Sequence, residues 1–547
     1  MEEFFYVLSK YLKEISINES YKFNKFLDYQ MINLNKNIET KKILEDIYSQ
    51  FMKVEGYRVN KSNNNIYALK CVFSDVNFDN KIDNSNEIYK KPIEQSLAGK
   101  YIYPSVNGII GEKDFITLVN SFINEINICK NEEQKFYVFK KFFSSIPAKN
   151  LPNCYVSLFN TAKIISAFFS CIKAESSKKS VEDREFLLVK GDVSGIQEFI
   201  FSISSKTAAK SLKGRSVYIN FLTNIVSKYI VKRLGLSNNN ILYNGGGNFY
   251  IIIPKSKYNE IIDIRNYISK VLLKAHKGKI YIAIEISGND LDDDKSKIIT
   301  INKLKDCSHF FNDVSQKTAS LKNKKWSDID IEKNFKNIFG PIDNGNQGKR
   351  TCNICGSILN NLDEGMCTMC KSFTELTNEI KGTKFYYEKT LSVDEMEIDE
   401  IRDYKDVFKS FGFEIKFTNI NEIGFKKYLI NGTDFLKYNC DGYIFKSLNL
   451  PEDSTFEKII SFNNINSNKK LGDKKLGALK LDVDNLGKIF LKGLKSNHKN
   501  EISIGETIEL SDAISLFFEG YLNELIKNDN EKKRLNLMNL PGKIGIR

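Results

Sequence analysis

Residues 189–199 align without a gap within 479–490, and this internal repeat restricts the chain to folds that contain the same strand–turn–helix unit twice. In the later copy Leu479, Leu481 and Val483 face one way while Lys480, Asp482 and Asp484 face the other, which is the period of a strand. Beyond Asp484 the spacing becomes helical, so two carboxylates sit where a strand gives way to a helix. Two acids on one strand face can share divalent ions, and such ions activate a hydroxyl and neutralise a triphosphate. A lone D-x-D is more often a solvated strand end; the second copy is what favours chemistry. There Lys190, Asp192 and Val193 match Lys480, Asp482 and Val483, and Ser194 stands in place of Asp484. Only the later copy keeps both acids.

Around the earlier copy, residues 185–193 read as a strand and Ser194 with Gly195 opens a helix over 196–203. A hydroxyl and a glycine there make an ordinary N-cap, and equally a nest for phosphate. Lys210-Ser211-Leu212-Lys213-Gly214-Arg215 precedes a second helix over 216–234 and offers cations to phosphates. Residues 241–254, I-L-Y-N-G-G-G-N-F-Y-I-I-I-P, form two strands joined by a glycine-rich tight turn. A plain hairpin accounts for them, but a bare tip beside the Asp192–Ser194 turn also suits a nucleotide. A helix over 258–276 and a strand over 279–286 complete the order β-α-α-β-β-α-β, a ferredoxin-like or palm layer.

Cys352-x-x-Cys355 and Cys367-x-x-Cys370 form two knuckles at the spacing of a tetrahedral thiolate site for Zn2+. Four cysteines leave no open position, so the site is structural and replaces a core too small to fold that loop. The other six cysteines are scattered and read as reduced, mostly buried residues.

Residues 1–175 read as a mostly helical domain with a polar loop over 75–87 and no histidine, hence no His-Asp metal pair. Linkers are expected over 176–183 and 463–475, and a small β-rich connector over 384–450. The later unit has a helix over 508–526 with Phe517, Phe518, Tyr521 and Leu522 on its apolar face. Its own glycine hairpin would fall near or past Arg547, and residues 540–547 hold no paired glycines followed by acids, so we expect this unit to be incomplete.

The chain has 547 residues, 41% hydrophobic and 12% aromatic, enough for several folded domains. No run approaches the ~20 apolar residues of a membrane span, and no signal peptide opens the chain, so a cytoplasmic location without membrane partners is expected. The charge of +13 suits nucleic acid, although the lysine, asparagine and isoleucine bias of an AT-rich gene also produces it.

Taken together, G-D-V-S-G-I-Q-E-F-I-F (191–201), L-K-G-R-S (212–216), I-L-Y-N-G-G-G-N-F-Y (241–250), the C-x-x-C pair and L-D-V-D-N-L-G (481–487) resemble the Cas-ten large subunit of type III-A (Csm) CRISPR interference complexes. The resemblance implies an α+β fold: a helical N-terminal domain (1–175, degenerate HD-like), a first palm (184–335), a four-cysteine zinc ribbon (336–382), a β-rich connector (383–470) and a second palm (471–547) truncated before its G-G-D-D hairpin. It implies a subunit that works with crRNA, target RNA and other Csm subunits, makes cyclic oligoadenylate from ATP on target-RNA binding, and cuts single-stranded DNA with its HD domain. Carried over by position, Asp482 and Asp484 hold Mg2+ or Mn2+; Asp192, Ser194, Gly195, Gly245, Gly246 and Asn248 bind the nucleotide; Cys352, Cys355, Cys367 and Cys370 bind Zn2+. Asn160 and Thr161 stand where the family closes its HD domain with an Asp-His pair. A non-catalytic nucleotide- and RNA-binding scaffold, and a diguanylate-cyclase-like palm protein, are the competing readings.

Overall fold

The computed structural model of the protein describes residues 1–15, 20–54, 65–75, 88–91, 93–97, 108–175, 179–203, 208–288, 297–340, 350–359, 365–392, 400–448, 489 and 502–521. Phe4, Phe5, Leu8, Tyr11 and Leu12 recur at helical spacing over Glu2–Glu14 and are all buried. They face helices Glu112–Ile128 and Glu132–Phe143, where Phe4 meets Phe139 edge-on at 5.2 Å and Phe122 meets Phe143 at 4.7 Å. Helix α1 (Leu158–Lys173) is buried almost all round, as its composition requires, and is capped by Ser157, whose hydroxyl accepts the Asn160 N–H. Two short antiparallel pairs, Ile66–Tyr67 with Ile109–Ile110 and Leu69–Lys70 with Tyr89–Lys90, interrupt this helical region.

Next comes a four-stranded sheet built from β1 (Phe186–Ser194), β2 (Ile241–Gly245), β3 (Asn248–Pro254) and β4 (Tyr281–Ile286), in the order β2-β3-β1-β4. Every pairing is antiparallel, and Asp192 lies opposite Asn248 on one side and Ala283 on the other. Helices α2 (Ile196–Phe201) and α3 (Ala208–Arg233) follow β1, and α4 (Tyr258–His276) joins β3 to β4. The element order is therefore the one read from the sequence. The boundaries differ in one informative place: Lys210–Arg215 lies inside α3 rather than ahead of it. Gly214 sits in mid-helix because helix α6 (Thr368–Ile380) crosses there, and a Cβ would come 1.9 Å from the Phe373 carbonyl oxygen. Helix α5 (Ser308–Asn323) covers the face of β1 that carries Lys190 and Asp192.

A second four-stranded sheet fills the connector: β5 (Phe385–Thr390), β6 (Phe413–Phe417), β7 (Lys426–Ile430) and β8 (Gly442–Ile444), in the order β6-β5-β7-β8. It packs on the N-terminal helices through Tyr137, whose ring meets Tyr443 at 5.3 Å and lies where any side chain at Gly442 would go. Helix α7 (Ile504–Leu516) opens with a capping box between Ser503 and Glu506. Its first two turns are buried on every side, charged residues included, and Phe517 beyond it is exposed. The buried N-terminal half anchors this helix; of the apolar face expected at Phe517, Phe518, Tyr521 and Leu522, Phe518 and Tyr521 are half-buried and Leu522 lies outside the described residues.

Candidate nucleotide site and cysteine centre

The turn after β1 depends on Gly195. Its φ of +89° is one that residues with a Cβ rarely adopt, and a Cβ would lie 2.2 Å from the Lys279 carbonyl oxygen. Gly195 itself is the N-cap of α2, so no side chain caps that helix and Ser194 remains the last residue of the strand. The hairpin between β2 and β3 turns at Gly246 and Gly247, with φ of +60° and +84°, as a tight two-residue connection demands. Its tip lies on the β1 turn. The Val193 N–H donates to the Gly247 carbonyl at 2.9 Å, and a Cβ on Gly247 would sit 2.6 Å from Ile196 Cδ1.

This contact gathers Asp192, Ser194, Gly195, Gly246 and Asn248 within one short stretch of surface. Gly245 stands apart: it is buried, and a Cβ there would lie 2.9 Å from both the Tyr243 hydroxyl and Ser515 Oγ of α7. Asp192 is far from a bare carboxylate. Lys322 of α5 reaches Oδ1 at 2.5 Å, Lys190 lies 4.0 Å from Oδ2, and Asn248, with its amide turned to donate, is 3.2 Å from both oxygens. One carboxylate between two lysines leaves a net positive charge, which suits phosphate oxygens better than a naked cation. Lys322 was invisible to sequence reasoning, since nothing local marks it. Asp482 and Asp484, with the rest of 479–488, lie outside the described residues.

The cation stretch reads differently in three dimensions. Arg215 is only 3% exposed and donates to the Phe199 carbonyl at 2.6 Å and the Ser202 carbonyl at 3.3 Å, while Lys213 donates to the Ser447 carbonyl at 2.6 Å. Neither is free to meet a phosphate, because Lys210–Arg215 is helix packed under α6 rather than an open loop.

The four knuckle cysteines converge, with all their sulfurs within 4.8 Å of one another. Cys355 and Cys367 Sγ are 3.7 Å apart, close to the ~3.8 Å that Zn–S bonds of ~2.3 Å impose across a tetrahedron. The knuckle geometry is already set: the Ile354 and Cys367 N–H groups point at Cys352 Sγ at 3.5 and 3.3 Å, and Gly356 turns with a φ of +73°. Hydrogen bonds with Cys367 and Cys370 pull the Cys355 thiol well below its ordinary range, and the same bonds to Cys355 push Cys370 up and Cys367 to about 12. Sulfurs that already share protons so closely fit a divalent cation that would displace them. None of the other six cysteines forms a disulfide, and all but Cys129 are buried.

Asn160 and Thr161 sit in α1, both buried, and Asn160 reaches α7. The Asn160 amide donates to Glu509 at 2.8 Å, and the same carboxylate accepts the Ser157 N–H at 3.1 Å and Lys90 Nζ at 2.6 Å.

The fold and the two centres define a mixed α/β protein with a four-stranded antiparallel sheet, a glycine hairpin beside its first turn, and a four-cysteine cluster able to hold a metal. The chain resembles Cas10/Csm1 of subtype III-A. Residues 185–340 match the family model described as Csm1 subunit domain B. A curated relative from Methanocaldococcus jannaschii, the CRISPR system single-strand-specific deoxyribonuclease Cas10/Csm1 (subtype III-A), is 29% identical over 497 residues, covering 76% of this chain. The chain spans 59% of that relative's length. Among solved structures, a Csm1-Csm4 cassette in complex with cA4 superposes with a TM-score of 0.67 at 16% identity, covering 96% of this chain and 69% of that one. A Csm1-Csm4 cassette in complex with one ATP gives 0.65 at 17% identity over 95% of this chain and 66% of the other. Among the described residues no helix is long and apolar enough to cross a membrane.

Proposed function

We propose that the chain serves as the large subunit of a cytoplasmic type III-A CRISPR interference complex and binds ATP where the glycine hairpin meets the turn after β1. On this reading residues 184–335 are a palm, 336–382 a zinc ribbon, 383–470 a connector and 471–547 part of a second palm. The partners are crRNA, target RNA and other Csm subunits. The observation that carries the reading is the contact between Val193 and Gly247, which brings two glycine-bearing turns far apart in sequence onto one ledge flanked by Lys190 and Lys322. Backbone there approaches without side chains, as phosphate binding requires. Asp482 and Asp484 complete the proposal by position: bound Mg2+ or Mn2+ would neutralise the triphosphate during oligoadenylate synthesis. Gly195 fixes the ledge, Asn248 orients Asp192, and Lys190 and Lys322 supply the positive field.

For the N-terminal domain a scaffold role is favoured over single-strand DNA cleavage. No histidine occurs before His276, and Asn160 is spent on a buried hydrogen bond to Glu509. Calorimetric titration with ATP and with GTP, each with Mg2+, tests the nucleotide reading. Saturable ATP binding with GTP much weaker is expected; a preference for GTP would favour a diguanylate-cyclase-like palm, and binding of neither would remove the site.

A further inference from the structure

We propose that Arg215 is a positioning residue that couples the four-cysteine centre to the turn at Ser194–Gly195, so that metal occupancy and the order of α2 rise and fall together. The proposal rests on the reading that a divalent metal fills that centre.

The guanidinium of Arg215 stands between the two. One nitrogen, Nη1, donates to the carbonyls of Phe199 and Ser202, at the C-terminal end of α2, and the other, Nη2, lies 3.4 Å from Cys370 Sγ. The cation also sits 5.2 Å from the centroid of the Phe199 ring. Burying a guanidinium is costly unless negative charge is close. Among the described residues no carboxylate pairs with Arg215, and its Nε has no hydrogen-bond partner. A divalent ion held by four thiolates carries two net negative charges, and Cys370 is the sulfur that presents them to Arg215. The cluster is thus the counter-charge that this buried arginine otherwise lacks.

A second tether reaches the other knuckle. Lys279 Nζ lies 3.5 Å from the Cys355 carbonyl, and the Lys279 backbone carbonyl is the atom against which Gly195 closes. Helix α6, whose first turn carries Cys370, is pinned to α3 beside Arg215 through Gly214 and through the Thr377 hydroxyl, which donates to the Lys210 carbonyl at 2.7 Å. The metal therefore does not serve its own loop alone. Emptying it removes the charge that holds Arg215, and Arg215 in turn holds the end of the helix that begins at the nucleotide ledge. By linkage the effect is reciprocal: whatever orders α2 tightens the metal.

The test uses the full chain, its zinc affinity read by competition with a chromophoric chelator and its backbone order by hydrogen exchange. Arg215→Met should weaken zinc 10–100-fold, as loss of a group bonded to a metal ligand does, and Arg215→Lys should fall between. Chelating zinc from the wild type should speed exchange in residues 195–203 and leave 112–128 unchanged. In Arg215→Met the 195–203 segment should exchange fast with or without zinc. Should Arg215→Met fail to fold, Arg215→Lys, which keeps the charge but not the fork, carries the same comparison. Zinc bound at one equivalent with 195–203 indifferent to its removal, or an affinity within twofold of wild type in both variants, would overturn the coupling while leaving the metal reading intact. Failure to take up zinc at all would remove the metal reading, and the coupling with it.

Discussion

The side-chain amide of Asn160 donates to Glu509 across 349 intervening steps of chain, at 2.8 Å and in a wholly buried setting. Glu509 is 2% exposed and takes two further hydrogen bonds, from Lys90 Nζ and the Ser157 N–H, so one carboxylate of α7 joins it to α1 and to Lys90. This explains an amide at position 160 in physical terms: a neutral donor is needed opposite a buried anion. Asn160→Asp would set a second carboxylate there. A loss of roughly 3 kcal/mol is expected at neutral pH, the low end for disrupting a buried pair, because Lys90 is a quarter exposed and keeps some access to water. The new carboxyl would be held above its ordinary range, so the loss should shrink as pH falls and it takes up a proton. Urea unfolding at pH 7.5 and 5.0 checks both the size and the direction; an unchanged midpoint at pH 7.5 contradicts the arrangement.

Thr161 next to it gives the opposite expectation. Its hydroxyl is buried and has no hydrogen-bond partner among the described residues. Thr161→Val keeps the shape and removes the orphan, so stability should hold or rise by about 1 kcal/mol. A loss larger than that in the same urea measurement would mean that the hydroxyl has a partner after all.

For the cysteine centre the expected content is about one zinc per chain, with Cys355→Ser releasing it and unfolding the loop around the knuckles, since metal binding here is folding energy. Elemental analysis of purified protein decides this. Wild type with clearly less than one equivalent would leave four reduced cysteines and no structural metal.

These centres differ in how far sequence could foretell them. The knuckles were legible because four ligands at short fixed spacing specify a tetrahedron locally. The first sheet was legible too, since period-2 runs, paired glycines and a 3.6-period helix between them allow few arrangements. Glu509 and Lys322 were not, because each finds its partner far along the chain, Asn160 and Asp192 respectively, and nothing in its own neighbourhood signals that. Lys210–Arg215 reads as lying ahead of the helix for a related reason: the close crossing of α6 that requires a glycine inside the helix at Gly214 is not signalled by L-K-G-R-S itself.

His276 supplies a pH signature. Burial first, then the cations of Arg215 and Lys279, push it from 6.5 down to about 3, and the Tyr218 hydroxyl lies 2.6 Å from Nε2. The folded state thus holds a neutral imidazole while the unfolded chain takes up a proton below 6.5. The stability contributed is complete above that value and drains away as pH falls toward 3, at up to about 1.4 kcal/mol per pH unit. His276→Leu should be less stable at pH 7.5, because the Tyr218 hydroxyl loses its partner, yet its stability should decline less between pH 6.5 and 5. Equal slopes for variant and wild type would mean that His276 is already protonated when folded.

Two glycines on the proposed ledge separate folding from binding. At Gly195 any side chain strikes the Lys279 carbonyl, so Gly195→Ala should cost more than about 2 kcal/mol and disturb the ledge whether or not a nucleotide binds there. Gly246 is different: it is exposed, its φ is +60°, and a Cβ would meet nothing nearer than the Tyr243 hydroxyl at 4.0 Å. Asparagine tolerates that backbone, so Gly246→Asn should leave stability within about 1 kcal/mol. If ATP phosphates approach the hairpin tip, the added side chain stands in their path, and ATP affinity measured by calorimetry should fall at least tenfold. Wild-type affinity in Gly246→Asn, with the fold intact, would move the nucleotide away from the hairpin and leave Gly246 as a turn residue and no more.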